Sequence, residues 1–361
     1  MWSLKRTITQ GRPYPSILMR RKPFFVITIL ILLLILALLF AASLGTVSIP
    51  AGDIAAIVLK RVFNLSFGVQ WSDAQESIVW QLRLPRVFGA AIVGAALATA
   101  GVLFQGLLRN PMADPYLLGT SGGAALAATI ALFIPASISI LGFSLVPIAA
   151  FGGALVAVLI VYNIARVGAR TPITTLLLSG FAISSMMAAA MSFLMLMNQH
   201  TLQRVVLWTM GAISASGWDA LVIVVPLIIL GAIIAYVLAN DLNAFLLGEE
   251  QAASLGVAVE QRKFVAMMIG ALLTGAAVAI SGLVGFVGLI VPHVVRLILG
   301  PDHRLLIPAS FLSGAIFLVL ADLIARMILA PSELPLGIVT AFIGAPFFIY
   351  LLRRSKREYS F

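Results

Sequence analysis

Residues 282–308 read GLVGFVGLIVPHVVRLILGPDHRLLIP, and this stretch decides how the rest of the chain is interpreted. A glycine-rich apolar run leads into a Pro-His-x-x-Arg turn and a Gly-Pro-Asp-His-Arg loop, and the next apolar run follows at once. The pattern predicts a short, broken membrane helix with one polar end in water. Non-helical backbone survives at membrane depth only inside protein or beside a watery path. The stretch therefore indicates a transporter rather than an anchor.

The composition is that of an integral membrane protein. Hydrophobic residues make up 61% of the chain and charged residues 10%, against about 25% charged in soluble domains. The net charge of +10 comes from lysines and arginines at the ends of apolar runs, which suits a lipid surface and not a nucleic acid. The chain has no cysteine, which excludes disulfides and cysteine-ligated metals.

Ten apolar runs approach the roughly 20 residues that a helix needs to cross a bilayer. We therefore predict an all-α membrane protein with a single transmembrane domain over 1–361. A basic tail at 1–23 precedes the first run, which we interpret as an uncleaved helix, with a signal peptide as the alternative. The predicted spans are 24–43, 86–106, 116–134, 146–165, 173–197, 219–239, 264–281, 284–298, 306–328 and 336–352.

The distribution of positive charge predicts the orientation. With the amino end inside, 17 of the 23 lysines and arginines fall on the inner side. Cytoplasmic loops are the ones enriched in these residues, so both termini are expected on the cytoplasmic side. The count also supports the break at 281–284, because merging those spans would move Arg296 and Arg304 outside.

The sequence offers no support for catalysis or metal binding. No P-loop and no His-Glu-x-x-His motif is present, so we do not expect an enzyme. His293 follows a proline at a predicted helix end, where capping or packing is favoured over metal ligation. His200 and His303 are predicted in loops, on the solvated surface.

One acidic residue, Asp322, falls within a predicted span. It precedes Arg326 by four residues, a spacing that predicts an ion pair along one helix. Carriers driven by protons or sodium usually place carboxylates within their spans. A secondary transporter remains the alternative interpretation, and it would need Asp322 as an essential carboxylate.

The inner loop at 240–263 is too apolar for a solvated linker. We predict short helices interrupted at Gly248 and Gly256, with an apolar face turned toward a cytoplasmic partner. An interfacial helix lying on lipid is the competing interpretation.

Four blocks of the sequence, in order, resemble the permease subunits of type II ABC importers, which serve iron–siderophore complexes, haem and vitamin B12. The blocks are QLRLPR at 81–86 with RNPMADP at 109–115, the loop at 247–256, GFVGLIVPH at 285–293, and ADLIAR at 321–326 with ELPLG at 333–337. The resemblance implies the type II importer fold, with about ten helices per subunit. It further implies a homodimer around a central path, two ATP-binding cassette subunits inside and a substrate-binding protein outside.

The implied function is import of an iron–siderophore complex or haem by alternating access, with vitamin B12 as the alternative substrate. The implied location is the cytoplasmic or inner membrane of a bacterial or archaeal cell. ATP and Mg²⁺ would bind the partner subunits, and this chain would hold no cofactor.

The resemblance also assigns roles to individual residues. Coupling to the ATPase subunits is implied for Leu247, Gly248, Glu249, Ala252, Leu255 and Gly256. Docking of the binding protein is implied for Arg83, Arg86 and Arg326, with lipid headgroup anchoring as the alternative. Asn110, Met112 and Thr174 match gate positions, with methionine at 112 where the family usually has leucine. Ser179, Phe181 and Ser184 would line the path, and ordinary helix packing explains them equally well.

Overall fold

A computed structural model describes residues 23–45, 49–65, 71–134, 139–140, 143–213 and 217–356. The predicted basic tail lies outside the described residues up to position 22. The helices, in chain order, are α1 (Pro23–Ser43), α2 (Ala51–Phe63), α3 (Asp73–Ser77), α4 (Leu84–Leu107), α5 (Thr120–Phe133), α6 (Leu145–Ala165), α7 (Ile173–Met197), α8 (Gln199–Thr209), α9 (Trp218–Val237), α10 (Ala239–Phe245), α11 (Glu249–Ser254), α12 (Val259–Ser281), α13 (Val287–Leu299), α14 (His303–Met327) and α15 (Leu336–Lys356).

Three minor elements complete the fold. A π-helical turn, Ile78–Arg83, runs directly into α4, and a 3₁₀ turn, Pro115–Leu118, precedes α5. Two short antiparallel strands, β1 (Ser139–Ile140) and β2 (Phe143–Ser144), join α5 to α6.

The ten predicted spans all correspond to apolar helices, which confirms the predicted fold class. Within the described residues, seven helical stretches have the length and composition to cross a membrane. The other three, α5, α13 and α15, are shorter apolar helices. The spans predicted at 116–134 and 284–298 begin a few residues before their α-helices, because α5 starts at Thr120 and α13 at Val287.

Helix α4 lies at the centre of the subunit, where its glycines and alanines let other helices approach closely. Of the 18 consecutive residues that are most apolar in this helical stretch, 94% are buried. A Cβ atom on Gly94 would collide with the carbonyl oxygen of Gly314 in α14, and one on Gly101 with the carbonyl oxygen of Gly288 in α13. Without side chains at these positions the backbones touch, which is how membrane helices pack when water supplies no hydrophobic driving force between them.

Two segments without α-helix, 108–119 and 282–286, meet inside the protein. The Tyr116 hydroxyl donates to the carbonyl oxygen of Val284 at 3.0 Å and accepts from the Val284 N–H at 3.1 Å. These bonds satisfy backbone groups of the break that lipid could not. The structure therefore confirms the break predicted at 281–284. The turn predicted at Pro-His-x-x-Arg is wrong, because α13 runs through these residues to Leu299.

The helices run between two ends, which we name after a buried cation at each. At the Arg83 end, the last turn of α1 meets the start of α4 and the last turn of α14. At the Lys263 end, the end of α4 and the start of α12 lie beside α10 and α11. Among the seven long apolar helical stretches, α1 and α7 are the least covered by the rest of the subunit. Of the 18 most apolar consecutive residues in each, 17% are buried.

Candidate functional site

The segment at 240–263 consists of short helices, as predicted. Helix α10 ends at Phe245 and α11 begins at Glu249. Gly248 between them has φ +111°, and Gly256 after α11 has φ +85°. Both values fall where side chains other than glycine are strained, so glycine is required at these two breaks.

The coupling segment, as we call residues 240–263, carries apolar side chains in the open. Leu247 is 62% exposed and Leu255 is 66% exposed, whereas Ala252 between them is fully buried against the subunit. Ala252 thus fixes α11 to the subunit and the two leucines project from it. The ATPase-coupling role of these residues stays a prediction. It requires side chains that a partner can reach, and the two leucines are exposed.

A buried lysine lies beneath α11. Lys263, in the second turn of α12, is 2% exposed. Its Nζ lies 2.6 Å from Glu249 Oε2 and 3.1 Å from Glu260 Oε1, and it donates to the carbonyl oxygen of Thr171 at 3.1 Å. The Thr171 hydroxyl donates to Glu260 Oε2 at 2.6 Å. We call these four residues the Lys263 cluster.

A second polar contact at this end joins α10 to α14. Asn243 donates to Asp302 Oδ1 at 2.8 Å and lies 2.8 Å from His303 Nδ1. Asp302 also accepts from the Arg304 N–H at 3.1 Å, which caps α14. Burial pushes the pKa of Asp302 upward, but the hydrogen bonds from Asn243 and the Arg304 N–H outweigh it and hold the pKa below its usual value.

Two expectations for histidines are wrong. His303 is fully buried against Asn243 instead of lying on the solvated surface, because it occupies the first turn of α14. His293 lies in the middle of α13 instead of at a helix end, since the helix tolerates Pro292 and continues to Leu299. Among the described residues, no group of three or more His, Asp or Glu could hold a metal ion.

At the Arg83 end, a carboxylate is enclosed by arginines. Asp322 is 1% exposed, and its Oδ1 accepts from Arg86 Nε at 3.1 Å and from Arg86 Nη2 at 3.0 Å. Arg326 Nε lies 3.0 Å from Asp322 Oδ2, which confirms the ion pair predicted from the spacing. Glu333, 50% exposed, accepts from Arg86 Nη1 at 2.8 Å. These residues form the Arg86 cluster.

Two arginines also hold the end of α1. Arg83 donates to the carbonyl oxygens of Ala42 and Ser43 at 2.9 and 3.2 Å, and Arg326 donates to that of Ala41 at 3.1 Å. The last carbonyls of a helix have no partner within it and carry partial negative charge, so cations there are stabilising. Docking by Arg83, Arg86 and Arg326 stays a prediction; the structure places all three in contacts within the subunit.

The predicted gate residues lie in two places. Asn110 and Met112 occupy the turn after α4, where Asn110 Oδ1 accepts from the Met112 N–H at 2.9 Å. Met112 borders a small cavity together with Pro111, Leu289, Ile290, His293, Phe347, Phe348 and Leu351. Thr174 lies at the start of α7, exposed.

The predicted path residues share helix α7. Phe181 is 73% exposed, and Ser179 and Ser184 are partly exposed. The Ser184 hydroxyl lies close to Gly119, where the non-helical segment enters α5. One face of α7 is therefore uncovered in the single subunit, and path lining stays a prediction.

The Lys263 cluster could not be seen in the sequence analysis. Glu260 and Lys263 are three residues apart, which indicates neighbours on a helix, but Glu249 and Thr171 come from other elements. A lysine at the boundary between a loop and an apolar span normally predicts a position in water. Only packing of α11 over the start of α12 buries it.

The model of a family described as the FecCD transport family matches residues 32–354. An uncharacterized ABC transporter permease protein, YvrB of Bacillus subtilis, is 41% identical over 322 residues, covering 89% of this chain and 91% of the relative.

Two further relatives carry named substrates. The cobalamin import system permease protein BtuC of Halobacterium salinarum is 44% identical, covering 82% of this chain and 79% of the relative. The hemin transport system permease protein HmuU of Yersinia pestis is 39% identical, covering 82% of this chain and 90% of the relative. A solved structure of a metal-chelate type ABC transporter in an inward-facing conformation matches with a TM-score of 0.76 at 31% identity, covering 91% of this chain and 99% of that one.

Proposed function

This chain belongs to the FecCD transport family, and we propose that it imports a bulky metal chelate, an iron–siderophore complex or haem. The chain is the multi-pass permease subunit of an ABC importer. The observation that carries the substrate class is the shared chemistry of the two relatives named for a substrate, cobalamin and hemin. Both substrates are metal ions enclosed by an organic ligand.

The Lys263 end is proposed as the cytoplasmic end, with both termini on that side. Two ATP-binding cassette subunits hydrolyse ATP there and push on the coupling segment through Leu247 and Leu255. Support comes from the exposure of these two leucines on short helices outside the predicted spans, where a partner can cover them. This chain supplies no ATP or Mg²⁺ site of its own in the proposal.

The central path is proposed to lie between two copies of the subunit, along the exposed face of α7. The gate is formed by Asn110, Met112 and Thr174. Alternating access then requires that motion at the coupling segment reaches these residues and opens or closes the path.

The substrate-binding protein is proposed to dock at the Arg83 end. Arginine forms bidentate bonds with carboxylates, and Arg86 already binds a half-exposed one, Glu333. An acidic residue of the binding protein takes the place of Glu333 in this proposal. Arg83 and Arg326 support the site by holding α1 in position.

Cobalamin is a second candidate substrate. It is favoured by one observation, the 44% identity to a cobalamin import permease. Few charged side chains lie along the spans, so substrate selection is proposed to reside in the external binding protein.

The first experiment is purification of the chain from its native membrane with its partners, in the wild type and in Leu255→Asp. We expect an ATPase to copurify with the wild type and to be lost from the variant, because a buried, unpaired charge disrupts an apolar contact. Leu329→Asp is the matched control, an exposed leucine at the other end. Recovery of the ATPase with Leu255→Asp, together with normal transport, would show that the coupling segment is misassigned.

The purified complex then allows the substrate to be identified. Reconstituted in vesicles with its binding protein, it is tested for uptake of hemin, cobalamin and a ferric hydroxamate. Uptake of one chelate identifies the substrate, and uptake by the chain alone, without an ATPase, contradicts the proposal in favour of a secondary transporter.

A further inference from the structure

The Lys263 cluster joins three parts of the chain that are distant in sequence. Glu249 is the first residue of α11, Lys263 and Glu260 lie in the opening turns of α12, and Thr171 lies two residues before α7. The lysine therefore contacts α11 on one side and the residues just before α7 on the other.

A fourth element reaches the same cluster. Arg109 Nη2 lies 4.0 Å from Glu249 Oε1. Arg109 has φ +49° and directly precedes Asn110, so it belongs to the turn that carries the proposed gate. Glu249 consequently lies between Lys263 and the gate turn.

The charges explain why these elements stay together. Two carboxylates, Glu249 and Glu260, face the two cations Lys263 and Arg109, so the group is electrically balanced. Exposed ion pairs contribute little to stability. A lysine that is 2% exposed, however, has lost its contacts with water, so removal of one of its charged partners is strongly destabilising. If α11 moves, Glu249 either moves Lys263 and Arg109 with it or loses its charge-assisted contacts with them.

We propose that Glu249 and Lys263 are positioning residues: Glu249 transmits movement of α11 to the gate turn through Arg109, and Lys263 transmits it toward α7 through Thr171. This inference rests on the proposed function, in which the ATPase subunits push on the coupling segment. It adds the route by which that push reaches Met112 and Thr174.

The test uses the absence of cysteine from the chain. Met112→Cys and Thr174→Cys, made separately, report on the two gate segments by their rate of reaction with a membrane-impermeant maleimide. The complex with its ATPase is compared with and without ATP and vanadate. We expect the nucleotide to change the rate by about fivefold or more in otherwise wild-type protein, within the usual range for coupling between two sites.

Substitutions at three positions test the contacts of the cluster separately. Glu249→Gln removes the charge that links α11 to Lys263 and Arg109 and leaves Lys263 paired with Glu260, so the protein is expected to fold and both reporters to lose their response. Thr171→Val removes the hydroxyl bond to Glu260 but keeps the backbone carbonyl that binds Lys263, so it is expected to weaken the response at position 174 more than at 112. Lys263→Arg is expected to restore the response at position 174 that Lys263→Met abolishes, while ATP hydrolysis continues in both.

Arg166→Gln is the control. Arg166 lies in the same inner loop as Thr171 and donates to the carbonyl oxygen of Gly168, so its replacement should leave both responses intact. A full response in Glu249→Gln overturns the inference and leaves the proposed function standing. No response to nucleotide in the parent reporters overturns the proposed function and the inference with it.

Discussion

Replacing Asp322 by asparagine removes one negative charge from the Arg86 cluster and changes little else. The side chain keeps its size and can still accept hydrogen bonds at one oxygen. What it loses is the charge that neutralises Arg86 and Arg326, at distances of 3.0 Å each, in a position that is 1% exposed.

The expected loss in the free energy of unfolding depends on the partners that Arg86 and Arg326 keep. Removing one partner of a buried ion pair typically costs about 3–5 kcal/mol, because the other charge is left unpaired. Here Arg86 retains Glu333 at 2.8 Å and Arg326 retains the carbonyl oxygen of Ala41 at 3.1 Å. We therefore expect the lower value, about 3 kcal/mol, which is on the order of a hundredfold in the ratio of folded to unfolded protein.

The assay is reversible unfolding of the purified chain by sodium dodecyl sulfate in mixed micelles, followed by tryptophan fluorescence. Glu333→Gln is the matched control, because it removes a carboxylate of the same cluster that is 50% exposed, and its loss should cost about 1 kcal/mol or less. Equal unfolding midpoints for Asp322→Asn and Glu333→Gln would refute the reasoning.

Uptake measured on the same variant separates a structural role from a transport role. If Asp322→Asn has normal stability and normal ATPase coupling but no uptake, the carboxylate serves as an ion relay, and a secondary transporter gains support. The enclosure of Asp322 by two arginines disfavours that outcome, since a relay carboxylate must exchange protons or ions with water.

Two further predictions concern packing and capping. Gly153→Ala should destabilise the protein by about 1–3 kcal/mol because its Cβ would meet the carbonyl oxygen of Gly123, whereas Gly152→Ala, with no atom within 4 Å, should be neutral in the same unfolding assay. Asp302→Ala should cost about 1 kcal/mol through loss of the α14 cap. Because the native pKa of Asp302 is lowered, its stabilisation is present above the ordinary pKa of 3.8 and is lost as the pH falls through the lower native value, so wild type and variant should converge in stability in strong acid.

The spans were predictable because lipid imposes a simple rule on the sequence. A helix must be apolar over its crossing length, so ten runs of apolar residues gave ten helices. The break at 281–284 was predictable from its glycines and from the charge count. The start of α5 at Thr120 rather than at 116 was not predictable, because residues 116–119 carry ordinary apolar and turn residues and are held in place by a tyrosine bond to Val284.

The polar clusters were predictable in part, according to how local they are. The pair of Asp322 and Arg326 lies within one helix, and its spacing revealed it. The partners of Arg86 and Lys263 come from distant segments, so no spacing along the chain could indicate them. His303 was misplaced for the same reason, since its burial depends on α10 packing over the start of α14.

The sequence by itself determined the membrane character of the chain, the number of apolar spans, the glycine breaks of the coupling segment and the family resemblance. Each of these depends on composition or on neighbours along the chain. Only the tertiary structure decided which charges are buried and with whom they pair. A charged residue at a helix end has the same local sequence whether it faces water or the protein, and only the packing of distant helices distinguishes the two.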